Sequence, residues 1–444
     1  MNKFIKLCLL LVIAPAISVH GQSGQLSLKE CIDYTLKNNP SAVIYDNQMK
    51  IAENQKLEAL SGYLPQVNGS ATLDNNVKRP VTVIPAGAFS PVDLRVQFGN
   101  QYNSSWVLQA DQVIYDQALL SGLKANKPNV ELAELKMLRN EDDLIYNTSV
   151  SYYQVLIYKE QLKLLEENER KLADLLKVQQ LQAEKGVITR VAYNRVQVNY
   201  NNVLSQKKVA ETNYELSLTR LKNSMGIPVE NALNVVDTIN YAQDVEMPVT
   251  NDFNIRNKPD YQILEKNIIL QEIDLSRKRA AVLPTLSAYA RYGSNAFGNE
   301  LGPSYKNWYD FSAIGLKLNV PIFSGLRRYS QIKQGELNLY NSRQNLVLNT
   351  ESIKLQLQSA NTQLLSSYTN LQSNKSNLDL ARTVFEDTGL QYEKGAAGLT
   401  DFLNADYALK EAQANYINSL LNYLIARVDL ERSKGTIKQF VNQL

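Results

Sequence analysis

Histidine is almost missing from this chain of 444 residues: the single one is His20. Its scarcity excludes a Ser-His-Asp triad, a Cys-His dyad, a histidine-bound zinc and an imidazole pH switch together. Cysteine is nearly as rare, with Cys8 and Cys31 alone. If the first segment is removed, as argued below, no intramolecular disulfide can form, and no CxxC site exists. Cys31, on a short amphipathic stretch, reads as a small buried apolar residue. Charge of one sign is also lacking, with 47 Lys+Arg against 44 Asp+Glu. A nucleic-acid binder needs a concentrated basic surface, so that class is set aside. No nucleotide-binding glycine pattern and no metal-ligand spacing occurs, which leaves no cofactor and little room for an enzyme.

Long apolar runs are absent too. Lys3 and Lys6 precede an apolar stretch from Leu7 to Ala14, and Val19-His20-Gly21 offers compact residues for a peptidase. Residues 1–21 therefore read as a secretory signal peptide. The alternative, a membrane-anchoring helix, is short of the ~20 apolar residues a span needs. Nothing after Gly21 approaches a spanning helix, so an exported chain of this kind enters a membrane only as a closed β-barrel.

What the chain does contain is written twice. Pro40–Leu73 aligns without a gap on Pro259–Tyr292, a shift of 219 residues. Ile114-Tyr115-Asp116-Gln117 matches Ile322-Phe323-Ser324-Gly325, and the Leu181–Gly186 stretch matches Leu390–Gly395. Ser224-Met225-Gly226 falls on Ser433-Lys434-Gly435. The expected division is a first repeat over 22–226, a linker over 227–257, a second repeat over 258–435 and a tail over 436–444. Each repeat reads helix, Leu-Pro stop, strand, loop, strand, long helix, Glu-Lys-Gly break, helix.

Period two marks four strands, at about 66–74, 104–115, 285–292 and 311–323. Val67, Ala71 and Leu73 alternate with Asn68, Thr72 and Asp74; Trp106, Leu108 and Ala110 alternate with Gln109 and Asp111. Leu286, Ala288, Ala290 and Tyr292 form a third row, and Ile314, Leu316, Leu318, Val320 and Ile322 a fourth. Lipid outside and water inside a barrel explain this pattern, and a half-buried soluble sheet explains it equally. Trp106, Trp308 and Tyr305 cluster at the strands as candidates for an interfacial aromatic belt, or for ordinary packing. The loops 75–96 and 293–307 are rich in turn formers and read as irregular.

Long helices are expected at about 119–183 and 327–393, each on the order of 100 Å at 1.5 Å per residue. Pro128 kinks the first or delays its start. Shorter helices follow at about 190–224 and 400–433. Positions 353, 357, 360, 364, 367, 371, 374, 378, 381 and 385 step by four and three and hold mostly apolar or small residues, a coiled-coil seam. Four strands have two edges and no lumen, so several chains must close the barrel together.

The Leu-Pro stop before a strand, the stretch Val320-Pro321-Ile322-Phe323-Ser324-Gly325, and Tyr392-Glu393-Lys394-Gly395 before Leu399-Thr400-Asp401-Phe402-Leu403 resemble TolC-type outer-membrane efflux proteins. The likeness spans nearly the whole chain in both halves. It implies a mixed α and β fold: a homotrimeric twelve-stranded transmembrane β-barrel in the outer membrane, continuous with a coiled-coil α-helical barrel in the periplasm. It also implies a belt at residues 228–257 and both chain ends, and the role of exit duct for a periplasmic adaptor and an inner-membrane transporter.

The resemblance further implies a pore constriction at Asp401, with Asn404 where a second acidic residue is common, and a gate tyrosine at Tyr392. Asp401 or Thr400 also reads as a helix cap. Ala397 stands where an arginine is common and Val191 where its acidic partner is expected; Arg190 and Arg195 lie nearby and read either as substitutes for that polar link or, more simply, as solvated arginines on a helix face. Gly186, Val187, Gly395 and Ala396 mark the tips expected to meet the adaptor. The competing reading is a periplasmic coiled-coil scaffold or adaptor with no pore.

Overall fold

A computed structural model describes residues 25–87, 91–236 and 253–443. The proposed signal peptide, with His20 and Cys8, and much of the 227–257 linker lie outside them. In chain order the elements are α1 (Leu28–Asn38), α2 (Pro40–Ser61), β1 (Gln66–Asn75), β2 (Val81–Ile84), β3 (Leu94–Gln97), β4 (Tyr102–Tyr115), α3 (Gln117–Leu123), α4 (Asn126–Glu184) and α5 (Arg190–Met225). The second half contributes α6 (Pro259–Ala280), β5 (Thr285–Gly298), β6 (Trp308–Asn319), α7 (Arg327–Glu393), α8 (Leu399–Lys434) and α9 (Ile437–Asn442).

Helix lengths repeat. Helices α2 and α6 both have 22 residues, and α5 and α8 both have 36. In each half the shorter helix begins where the longer one ends, so the two stack end to end beside α4 or α7. Both longer helices stop at a left-handed glycine, Gly226 at φ 74° and Gly435 at φ 77°. A Cβ on Gly226 would meet Pro40 Cδ at 2.9 Å, so only glycine lets the joint close. Asn39 clasps it: its Oδ1 accepts from Ser41 N at 2.8 Å, and its Nδ2 donates to the Ser224 carbonyl at 2.7 Å. At the matching joint Lys258 stands where Asn39 does, and gives no side-chain cap.

The α7 seam is as the periodicity predicts. Ile353, Ala360, Leu364, Ser367, Leu371 and Leu378 are buried, and the residues between them are mostly exposed. Its upper part joins a core at the level of the helix joints, with Ile145 to Ile157 of α4, Ile417 to Leu430 of α8, and Phe440 of α9. Cys31 is fully buried there, and desolvation pushes its thiol up to about 12.

Strands β1, β4, β5 and β6 form one antiparallel sheet in the order β1-β4-β5-β6, leaving β1 and β6 as edges. Gln66 pairs with Asp111, and Asp111 with Tyr289. Crossing one hairpin therefore climbs four residues above Thr285, the counterpart of Gln66. On the polar face the Tyr289 ring lies over Gly315 and the Phe311 ring over Gly293, where a Cβ would come within 3 Å of either ring. Each aromatic covers the gap its glycine leaves.

Several expectations are corrected. The delayed start that Pro128 predicts is not one of them: α3 ends at Leu123 and α4 starts at Asn126, putting Pro128 in the first turn, where its missing N–H costs nothing. Strand β5 continues to Gly298 into the stretch read as loop, because β4 reaches up to pair Tyr102 with Gly298. Strand β6 starts at Trp308 and stops at Asn319, so Val320–Phe323 is outside it. Its partner in the chain, β5, begins opposite that residue, and Pro321 has no N–H to offer. Residues 75–96 are not wholly irregular, since β2 pairs with β3 there. The 436–444 tail includes α9, whose Ile437 and Phe440 are buried.

Candidate functional site: sheet face and helical tip

The register brings all four alternating rows onto one face. Val67 lies opposite Ala110, Ala110 opposite Ala290, and Ala290 opposite Ile314. Leu73, Leu108, Tyr292, Leu316 and Leu318 share that face, and each is at least 48% exposed. Ile314 reaches 89%. The opposite face holds Asn68, Thr72, Asp74, Gln109, Asp111, Arg291 and Lys317. Trp106 meets Tyr292 edge-on at 5.5 Å, and Trp308 donates its indole N–H to the Tyr305 carbonyl at 3.2 Å. All three candidate aromatics sit toward the end of the sheet away from the helices.

At the far end of the helices are two matched turns. The N–H groups of Gly186 and Val187 bond to the carbonyls of Ala183 and Gln182; those of Gly395 and Ala396 bond to Tyr392 and Gln391. Both glycines are left-handed, at φ 73° and 74°. This double bond pattern stops a helix within two residues and sends the chain back. Val187 and Ala396 are left exposed at the tips.

Helix α8 starts at this tip with Asp401 and Asn404 exposed one turn apart on one face. Asp401 Oδ2 accepts the Gly398 N–H at 3.2 Å, so its carboxylate caps the helix while facing solvent. Thr400 instead accepts a bond from Arg195 Nη1 at 3.1 Å, which ties α5 to α8; Arg190 stays exposed. Tyr392 stacks on Phe402 at 5.2 Å and 18°, and Phe385 stands 5.5 Å from Phe402. The Tyr392 hydroxyl accepts from Gln179 Nε2 at 2.8 Å. Gln179 is 1% exposed, and its Oε1 is buried without a partner. Sequence reasoning missed Gln179, since nothing local marks a contact 213 residues away. Phe402 lies inside the motif that had drawn attention to Asp401.

A cleft opens where α6 meets α8, lined by Arg139, Asp142, Lys258, Asp260, Asp429 and Arg432. Burial pushes the Asp142 carboxyl from 3.8 up to about 6; Lys438 opposes this, and Glu141, Asp143 and Asp260 add to it. Burial likewise lowers the Lys258 ammonium.

A sheet that exposes a broad apolar band on one face and runs directly into long paired helices defines a class, the outer-membrane export channels that extend into the periplasm. The chain belongs to the outer membrane efflux protein family, whose model matches residues 32–227 and 257–436. It is similar to the alkaline protease secretion protein AprF of Pseudomonas aeruginosa, 22% identical over 336 residues, 75% of this chain and 69% of that protein. It is also similar to the outer membrane protein TolC of Vibrio cholerae, 21% identical over 422 residues, 93% of this chain and 91% of that one. In fold it resembles the CmeC outer membrane channel of Campylobacter jejuni, with a TM-score of 0.76, 18% identity, and coverage of 92% and 86%. The protein is an exit duct for efflux and secretion in the outer membrane, and not an enzyme.

Proposed function

We propose that the duct is a homotrimer whose three sheets close one twelve-stranded barrel in outer-membrane lipid, passing substrates on from a periplasmic adaptor and an inner-membrane transporter. The carrying observation is the sheet itself: one face carries a band of exposed apolar residues that includes Val67, Leu108, Ile314, Leu316 and Leu318, the other is polar, and among the described residues both edge strands lack an outer partner. Lipid suits the first face, water the second, and neighbouring copies the edges. The scaffold reading leaves Ile314, Leu316 and Leu318 facing water.

The helices support the same assembly. Leu348 and Leu355 of α7 lie on the side away from its seam and are 69% and 67% exposed, a second apolar face that needs another helix. The equal helix lengths and matched glycines support descent of the two halves from one duplicated unit, with the boundaries given above.

No bond is made or broken in such a duct; charge and bore do the work. Asp401 from three chains forms a ring of carboxylates at the constriction, with Asn404 one turn deeper, and the ring favours cations. Tyr392, held by Gln179 and Phe402, is the gate residue. The turns at Gly186, Val187, Gly395 and Ala396 contact the adaptor, and Trp106, Trp308 and Tyr305 sit at the membrane surface. Purified protein in planar bilayers, with its mass measured in detergent, tests the proposal. Discrete single-channel conductance from a species of three chains is expected. A folded, non-conducting species that stays in solution without detergent would overturn it.

A further inference from the structure

The two hairpins of the sheet share one register. A shift of 219 residues carries α2 (Pro40–Ser61) onto α6 (Pro259–Ala280) and the start of β1 onto that of β5. The shift that carries Ile114 onto Ile322, 208 residues, carries β4 onto β6. Applied together, they turn the Gln66–Asp111 rung into Thr285–Asn319, and the Asn75–Tyr102 rung into Ser294–Asp310; both occur in the sheet. The β1–β4 and β5–β6 hairpins are thus the same hairpin twice.

One pairing has no counterpart within the chain. Strand β4 meets β5, and the same two shifts turn that contact into β6 meeting β1, the two free edges. We infer that β6 pairs antiparallel with β1 of a second copy of this chain in one specific register: Leu318 opposite Ala71 of the partner subunit, Lys317 opposite Thr72 of the partner subunit, and Leu316 opposite Leu73 of the partner subunit. These rungs correspond to Ala110–Ala290, Gln109–Arg291 and Leu108–Tyr292 inside the chain. The inference rests on the trimer proposed above and adds to it the order in which residues meet.

Three observations agree with this register. It keeps the faces matched, with Leu318, Leu316, Ala71 and Leu73 on the apolar side and Lys317 and Thr72 on the polar side. A slip of one residue would put every β6 side chain on the wrong face. It sets Lys317 diagonal to Asp74 of the partner subunit, within reach for opposite charges. It also covers Phe323, which is 85% exposed in the single chain. Tyr115 sits at the equivalent place and pairs with Leu286, so Phe323 meets Val67 of the partner subunit.

The helices below follow the same rule. Helix α6 packs against both α4 and α7, and buries Ile263 to 8% exposure. Its counterpart α2 has only α4 beside it among the long helices, and Ile44, which matches Ile263, is 54% exposed. The missing neighbour of α2 is α7 of the adjacent copy, continuous with the strand pairing above it. Closure favours this arrangement, since a barrel's stagger, tilt and size are linked, and repeating the internal register repeats the same stagger at every hairpin.

Paired cysteines test the register on the full chain in outer membranes. Within one chain Lys317 and Thr72 lie on opposite edges of the sheet, about 14 Å apart sideways across three strand spacings and eight residues apart along the strands, since Thr72 is level with Tyr309. A disulfide between them must therefore join two chains, and the buried Cys31 does not compete. The doubles Lys317→Cys/Thr72→Cys and Leu318→Cys/Ala71→Cys are expected to give covalent dimers and trimers on oxidation. Their yield should be at least about fivefold above Lys317→Cys/Ser70→Cys and Lys317→Cys/Asp74→Cys, whose diagonal Cβ spacing exceeds disulfide reach. Mass in detergent is measured for each variant. Stronger cross-linking of a slipped pair overturns the register and leaves the trimer standing. No cross-link from any pair in a species of three chains overturns the β6–β1 contact alone. A monomeric mass for the unmodified protein removes both.

Discussion

Asp401 carries two duties that one substitution separates. Its carboxylate caps α8 through Gly398 N–H and presents a negative charge to solvent at the tip. Asp401→Asn keeps an acceptor for that amide and removes the charge. It is expected to leave the stability of the protein unchanged and to weaken block of single-channel current by divalent cations roughly tenfold. Unchanged block would remove Asp401 from the pore. Asp142 gives a pH signature. Its carboxyl is raised in the folded chain, so the stability it contributes is complete below about pH 3.8 and is lost as pH rises to about 6. Asp142→Asn should therefore stabilise the protein at pH 7.5 by about 1–2 kcal/mol, allowing for screening of its exposed edge, and do nothing at pH 4. Thermal melts at the two pH values check this. The cap at Asp401 was legible from its place at a helix start, whereas the burial of Asp142 was not, because it depends on α6 and α9 folding back over α4.

At the scale of elements, legibility followed the length of the pattern. The α7 seam could be read because its step of four and three persists for ten positions, long enough to fix which side is buried. The strand rows were legible for the same reason, with period two. Strands β2 and β3, four residues each among prolines and glycines, carry no period, and the α3–α4 break was marked by Pro128 alone. The Gln179–Tyr392 bond lies beyond any pattern, because it joins two helices only after both hairpins are in place. The seam also sets what a core substitution costs. Leu371 is 2% exposed, and Leu371→Ala is expected to destabilise the protein by about 2–5 kcal/mol. Leu371→Met, which conserves volume, should cost less than about 1.5 kcal/mol. Denaturant unfolding followed by circular dichroism distinguishes the two.

For the whole molecule, the sequence pointed to a need rather than a shape: four strands cannot close, so partners are required. How those partners fit depends on the climb of four residues across each hairpin. Four residues are about 13 Å along a strand, against about 10 Å sideways for two strands. In the proposed barrel the strands therefore lean steeply, and every helix leaves the membrane already set on a slant. Once closed by three chains, that barrel could not change its slant without breaking a full ring of backbone hydrogen bonds. The membrane end thus acts as a fixed clamp that dictates how tightly the helices wind about the common axis. Any widening of the duct has to be taken up as unwinding along its length. It accumulates toward the free tips, where Tyr392 and Asp401 stand and where a small rotation per turn becomes the largest displacement.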